Sequence, residues 1–539
     1  TMARGAVSNN LWTVGFACFV VICIYSLSKF EIRQCWEMLD PHQHAGDTRP
    51  TPTTIAPRPT RTKTGPRNTS IKTTTLSPPV SIVLVTPEVQ CTERHFVVML
   101  GGAKQQNIAT ALYKSILFHV RGSLVFHFLA DDHHKKIIST LFKTWKLPSV
   151  RYHIYDMEPY KRELSWVPNT HYAMVTALVR LVVPEILPDN VKEALIVDTD
   201  MCLLDDISPI FDAFQGTNES VLFAMTENIS PYYTNGMDPW PVRGRGLNSG
   251  LVLLNVERMR LANWSRMWRR EMEERLQVFK YGHDQDVFNA LTVTYPDIVV
   301  RLPCEYNLQL GVMSEPWTCL TSDMNVKIIH FNSPLKLDIK TKYVAHFARL
   351  HAEYLAMDGY SFRRRHRCEL DNSTATYFAD LPETDAAHNI SYRTHMYFNG
   401  FNTVNATDDI TLVTQLPAEN FKLVKQILEI WKGPISAAIY CSDAKLPYIL
   451  EDIESVGIDQ RTNFALHVVF KTGNHFPVDD LRKVAIDGAS TKFAYIMDYD
   501  ASREVKSISA DEIKNNTIKI GKEGGSSFLL FISGFSSVW

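Results

Sequence analysis

Residues 194–200 read Ala-Leu-Ile-Val-Asp-Thr-Asp. Four apolar residues in a row, two of them β-branched, suit a strand buried on both faces of a parallel sheet. The run stops at two carboxylates one residue apart. Side chains two apart on a strand point the same way, so Asp198 and Asp200 are expected to leave the strand end together. Carboxylates held that close repel, and a hard divalent cation such as Mg²⁺ or Mn²⁺ relieves the repulsion. Asp-x-Asp occurs three times in the chain, where about two would arise by chance. Spacing alone therefore fits a solvated strand end equally well, and the neighbours must decide.

Upstream, the apolar run His95 to Leu100 predicts a strand that stops at Gly101-Gly102. A helical pattern follows, then a second strand over 124–130 closed by Asp131-Asp132, a helix, a third strand, and one helix over 171–188 before the strand read as 193–204. Repeated strand–helix–strand units imply a parallel sheet with right-handed crossovers. Ligands of such sheets bind beyond the carboxyl ends of the strands, which puts Leu100, Gly101 and Asp198 to Asp200 along one edge. Strand patterns that end in acidic residues return after about residue 395, again with an Asp-x-Asp at Asp498 and Asp500.

The N-terminal part sets the compartment. Residues 11–27 hold 17 residues without a charge, the lower edge of what crosses roughly 30 Å of hydrocarbon. No small-residue cleavage site closes the run, so a retained signal anchor is expected rather than a cleaved peptide. Residues 28–90 include the stretch DTRPTPTTIAPRPTRTKTGPRNTSIKTTTLSPP, which cannot bury a core and reads as an extended, O-glycosylated stem. Eight Asn-x-Ser/Thr sequons fit a lumenal chain. Of the cysteines past the stem, Cys304 and Cys319 are close enough in sequence to close a loop first, and Cys202 reads as a small buried filler. The whole chain of 539 residues carries a net charge of -2 and 45% hydrophobic residues, which excludes a global nucleic-acid-binding field and a mainly disordered chain.

Further polar residues interrupt apolar runs at telling places. Arg180 lies just before the Asp198 strand and suits a phosphate. Arg245-Gly246-Leu247-Asn248-Ser249-Gly250 leads into an apolar strand, with glycines that permit close backbone approach. His283-Asp284-Gln285-Asp286 precedes a helix, and His330 is followed six residues on by Lys336. Set in this order, these segments resemble glycosyltransferase family 8, of the GT-A fold, over roughly residues 92–357. Ser333 stands where the family's His-x-x-Gly-x-x-Lys ending has glycine. The wording LFHVRGSLVFHFLAD, SWVPNTHY, PWPVRGRGLNSGLVLLN and IIHFNSP, with DITLVTQL and WKGPISAAIYCSDA later, is similar to the LARGE glycosyltransferases.

The resemblance implies an α/β chain. A GT-A-type nucleotide-sugar-binding domain with a Rossmann-like mixed sheet fills 91–357, a linker 358–394, and an incomplete second GT-A-like domain 395–539. It implies a Golgi membrane protein of type II, with a cytoplasmic tail over 1–10, a single-pass anchor and a lumenal catalytic domain. Asp198, Asp200 and His330 would bind Mn²⁺. Leu100, Gly101, Arg180, Asp198 and Lys336 would contact the donor, and Asn248, Gln285 and Asp286 would serve the reaction. The expected activity is retaining transfer of xylose from UDP-xylose to glucuronate of a glycoprotein glycan, as on α-dystroglycan, with a homo-oligomer left open. The segment after Asp500 does not resemble the family's continuation, so no glucuronyltransferase activity is expected of the second domain. A non-catalytic glycan- or partner-binding protein, or another UDP-hexose as donor, are the alternatives.

Overall fold

The computed structural model describes residues 92–101, 106–169, 174–234, 240–279, 282–320, 325–332, 335–364, 392–399, 410–458, 461–471, 475–491, 493–498 and 528–530. The expected tail, anchor and stem lie outside the described residues, as do Cys91, Cys368, Ser333, Asp500 and the sequons at Asn68, Asn372, Asn389, Asn405 and Asn515. Among the described residues no helix is long and apolar enough to cross a membrane.

The first sheet begins with β1 (Glu93–Leu100), α1 (Gln106–His119), β2 (Ser123–Ala130), α2 (Asp132–Trp145) and β3 (Val150–Asp156). β1 pairs β2, β2 pairs β3, and β1 pairs β4 (Glu193–Val197), all parallel. β2 is buried along its whole length, as its unbroken apolar run requires. α2 is capped by Asp131, whose side chain accepts the His134 N–H. Beyond β4 the sheet turns mixed. β7 (Leu247–Asn255) runs antiparallel to both β4 and β6 (Phe223–Glu227), and β8 (Val299–Leu302) is parallel to β6, giving the order β3-β2-β1-β4-β7-β6-β8.

Two expected elements differ. The strand read over 193–204 is two strands, β4 and β5 (Met201–Leu203), separated by a turn at Asp198 to Asp200. β5 leaves the large sheet and pairs antiparallel with β10 (Ile328–His330), which pairs β9 (Leu308–Gln309) in a small second sheet. The carboxylates thus sit where the chain steps between sheets, not on a continuous strand. The helix expected over 171–188 is broken: the described part is helical at 174–178, tightens to a 3-10 turn at Val179–Val182 and resumes at Val183–Ile186. Pro184 has no N–H to bond and crowds the Arg180 carbonyl one turn back, so Val183 N–H reaches Arg180 O in a 3-10 pattern.

A third sheet, β11-β14-β13-β12-β15-β16, is built from β11 (Thr394–Asn399), β12 (Ile410–Pro417), β13 (Ile435–Cys441), β14 (Phe464–Phe470), β15 (Phe493–Asp498) and the edge strand β16 (Phe528–Leu530). All neighbours are parallel except β11 with β14. Buried apolar side chains run continuously from Phe96 and Trp145 to Ile439 and Phe470.

Across β1, β2 and β3 the rings of His95, His127 and His153 stack in a row at 5.3 Å spacing. His127 is buried, with its ring nitrogens against His95 and the Tyr155 hydroxyl. Burial, reinforced by His95, His153 and Arg151, lowers its pKa from 6.5 to about 3. The unfolded chain therefore binds this proton first, so the contribution to stability is complete above about pH 6.5 and is lost as pH falls toward 3. We expect resistance to urea to fall as pH drops through that window, by up to about 1.4 kcal/mol per pH unit from this group, and His127→Gln to flatten the slope. An identical slope in the variant would show that other groups set the acid limit.

Candidate active site

The step between the two sheets is pinned from three sides. Asp198 N–H donates to Gly250 O (2.9 Å), Met201 N–H to Asp198 O (3.2 Å) and Phe331 N–H to Asp200 O (2.9 Å). His330 lies opposite Met201 in the β5–β10 ladder. Its Nε2 stands 3.5 Å from Asp198 Oδ2 and 3.4 Å from Asp200 Oδ1. Gly250 makes this possible: a Cβ there would lie 2.2 Å from His330 Cε1. Gly246 has φ +77°, and a Cβ there would meet the Tyr233 ring at 2.8 Å. Both glycines thus do what close approach requires.

Charge around the carboxylates is arranged in pairs. Arg180, on the 3-10 turn made by Pro184, is 9% exposed. It contacts Asp198 Oδ1 and donates to Asp284 Oδ2 (2.7 Å) and Ser249 Oγ (3.2 Å). Lys336 Nζ donates to Asp200 Oδ2 at 2.6 Å from a residue with φ 47°. Burial alone would raise the Asp200 carboxyl, but His330 and Lys336 hold it well below the carboxylate range. Burial would likewise lower His330, yet Asp200 and Asp198 hold it above the ordinary value.

These residues fit a divalent cation. One ligand atom from each of Asp198, Asp200 and His330 lies within 4.8 Å of the others, and carboxylate oxygens with an imidazole suit Mn²⁺. Asp198, Asp200, Asp284 and Asp286 face the same cavity as Arg180 and Lys336, so with neutral imidazole the lining carries two uncompensated negative charges. The His330 tautomer is set from behind. Its Nδ1 is 3.0 Å from Asn307 Oδ1, while Asn307 Nδ2 donates to Asn248 Oδ1 (2.9 Å) and Thr226 Oγ1 (3.0 Å). The Asn307 carbonyl therefore faces His330, Nδ1 carries the hydrogen, and Nε2 is left for the ion.

The cavity has a volume of about 440 Å³, ample for a small ligand. Most of the residues singled out in the sequence meet there. Gln285 Oε1 accepts the Ser249 N–H (3.1 Å) and its Nε2 donates to the Tyr233 hydroxyl (3.2 Å). Asp286 accepts the Tyr233 O–H (2.8 Å) and the His283 N–H (2.9 Å), capping α3 (Asp284–Thr294). Asn248 Oδ1 also accepts the Gly250 N–H. Leu100 and Gly101 end the neighbouring strand but are not among the lining side chains. Leu100 is packed in the core with its carbonyl taken by Asp131 N–H, and Met99 faces the cavity instead.

Sequence reasoning missed Asn307 and Tyr233. Asn307 is fully buried between the 3-10 turn Cys304–Tyr306 and β9, where its polar type directly before a short strand is the one signal the sequence offers. The sequon asparagine Asn228 is 3% exposed and faces the cavity, so it accepts no glycan in the folded protein, whereas Asn218 and Asn263 are exposed. Cys304 and Cys319 form the expected disulfide, and Cys202 is a buried free thiol.

Residues 100–337 match the profile described as glycosyl transferase family 8, and residues 409–492 that described as glycosyl-transferase for dystroglycan. Fold and site together define a glycosyltransferase of the GT-A type. More narrowly, the chain is similar to the LARGE glycosyltransferases. It is 34% identical over 432 residues to "Xylosyl- and glucuronyltransferase LARGE1" of Homo sapiens, covering 76% of this chain and 57% of that protein. It is 34% identical to LARGE2s of Danio rerio (76% and 58%) and 32% to LARGE2 of Homo sapiens (77% and 60%). The chain thus spans less than two thirds of the length of these relatives. Among solved structures it is similar to mouse xyloside xylosyltransferase 1 (19% identity, 45% of this chain and 98% of that one, TM-score 0.37). It is also similar to the galactosyltransferase LgtC with donor and acceptor sugar analogues (16% identity, 48% and 95%, TM-score 0.36).

Replacing Asn307 with alanine frees the His330 ring and unmakes its tautomer. We expect Asn307→Ala to weaken Mn²⁺ binding about 10- to 100-fold, read by calorimetry on the folded variant. Unchanged affinity would remove Asn307 from the orienting role.

Proposed function

We propose that the body containing the first two sheets is a retaining, divalent-cation-dependent xylosyltransferase that transfers xylose from UDP-xylose to glucuronate of a glycoprotein glycan. The observation that carries this reading is the convergence of Asp198, Asp200 and His330 with Lys336 at one cavity. A divalent ion held there, with Mn²⁺ the expected species, supplies positive charge for a nucleotide diphosphate. The donor identity rests on the likeness to relatives named as xylosyl- and glucuronyltransferases. Glucuronyl transfer by the third sheet is not part of this reading.

The chain's own residues have separable tasks. Lys336 offers its ammonium to the leaving diphosphate, where negative charge grows in the transition state. Arg180 is engaged by two carboxylates, so it fixes Asp198 and Asp284 in place rather than meeting phosphate as its position in the sequence suggests. Gln285 is held at both ends, by Ser249 N–H and Tyr233, and presents a rigid amide to the sugar. An amide is a weak nucleophile, which favours displacement on one face, with the departing diphosphate taking the acceptor proton. Asn248 keeps Asn307, and through it His330, in register. The disulfide agrees with a lumenal, oxidising compartment, as a type II Golgi protein would occupy.

Asp200→Asn is expected to lower metal-dependent transfer by at least about 100-fold, measured with UDP-xylose and a glucuronide acceptor. Turnover unchanged in this variant would remove the metal site. Clear preference for another UDP-sugar by the wild-type chain would refute the donor.

A further inference from the structure

Adjacent residues of α1, Lys114 and Ser115, face two different parts of the protein. Ser115 is fully buried, and its Oγ accepts the N–H of Leu203 at 3.0 Å. Leu203 ends β5, the strand that starts immediately after Asp200. Ala111, one turn earlier, is buried in the same apolar cluster as Cys202, Ile329 and Phe331. This face of α1 therefore backs β5, which follows Asp200, and β10, which carries His330.

Lys114 leads the other way. Its side chain is 0% exposed, and Nζ lies 3.1 Å from Asp443 Oδ2, just past β13 of the third sheet. Nζ also donates to the carbonyls of Leu355 (3.0 Å) and Met357, at the end of α4 (Lys342–Ala356). α4 carries His351, whose ring meets Phe331, the residue after His330, edge-on at 6.0 Å.

Asp443 is itself enclosed. It accepts Trp145 Nε1–H (3.2 Å) and Gly359 N–H (3.0 Å), and it pairs with Arg393 Nη2 (2.9 Å). Arg393 pairs with Asp358 as well (2.7 Å) and lies over the Phe470 ring. Gly359 is required, because a Cβ there would fall 2.1 Å from Trp145. Lys114, Asp443 and Arg393 are enclosed while Asp358 is partly exposed, and together these two cations and two carboxylates join the first sheet's helices to the third sheet. Burial alone would raise the Asp443 carboxyl, but Lys114 and Arg393 hold it below its ordinary value.

We infer that Asp443 is a positioning residue for the Asp198–Asp200–His330 cluster, acting through Lys114 and α1, so that the third sheet serves the first site as a structural partner whatever chemistry it has of its own. An ammonium buried among carbonyls needs its carboxylate. Without Asp443, Lys114 withdraws from the α4 carbonyls, and α1 with Ser115 shifts against β5. The inference rests on the metal-site reading, and one of its two tests does not.

The first test is Mn²⁺-supported UDP binding by calorimetry, on full-length folded protein below its melting transition. Asp443→Asn and Lys114→Met are each expected to weaken it roughly 2- to 30-fold, and the double variant by no more than either single one, since both remove one pathway. Unchanged affinity, or losses that multiply, would overturn the inference. If Asp443→Asn does not fold, Lys114→Met decides alone, because Asp443 keeps Arg393 there. Weakened binding supports the inference and wild-type binding overturns it. The second test is hydrogen exchange of the peptide spanning 198–204 without metal, in Lys114→Met. Faster exchange at Leu203, with β2 unchanged, supports the coupling. Wild-type protection refutes it. A wild-type chain that binds no Mn²⁺–UDP would defeat the metal-site reading alone, and exchange would still judge Asp443 and Lys114.

Discussion

The site depends on one close approach, the imidazole of His330 against the bare backbone of Gly250. It brings the small sheet to the edge of the large one and lets a turn of three residues pass between them. Two carboxylates and an imidazole then face each other out of bulk water, an arrangement that repels itself unless neighbours supply charge. Arg180 and Lys336 supply part of it. Counted with Asp284 and Asp286 on the same cavity, four carboxylates face these two fixed cations, an excess that suits the cluster to a divalent cation.

Much of this was legible in the sequence, for identifiable reasons. β1, β2, β4 and most strands of the third sheet, though not its edge strand β16, announce themselves as apolar runs, because a doubly covered sheet leaves no polar face. Gly246 and Gly250 were legible as close-approach residues, and Cys304 and Cys319 as a short loop closure. The turn at Asp198 to Asp200 was not, since the apolar residues after it belong to a strand of a different sheet, and pattern does not show a change of sheet. Pro184, inside the run read as one helix over 171–188, is the residue that breaks it near Arg180. Asn307 could be found only as a polar residue out of place, because its role lies behind the ligand it orients.

The third sheet shows why reading a chain body by body has limits. Its strands form a recognisable unit, yet Asp443 is satisfied by groups from α1, α2, the Gly359 turn and Arg393 together. No segment around Asp443, Lys114 or Arg393 reads as unusual in composition. A buried charge and its counter-charge are more than 300 residues apart, and only the folded chain makes them neighbours.

Lys336 has a consequence of its own. Its backbone sits in the left-handed region, which costs a side-chain-bearing residue roughly 1–2 kcal/mol, and its ammonium neutralises Asp200 meanwhile. The protein thus carries a built-in counter-ion in its acidic niche. On the proposed reading, a diphosphate that pairs with this ammonium would replace a tethered carboxylate, so admission of the donor would be a swap between anions rather than the creation of a new charge pair.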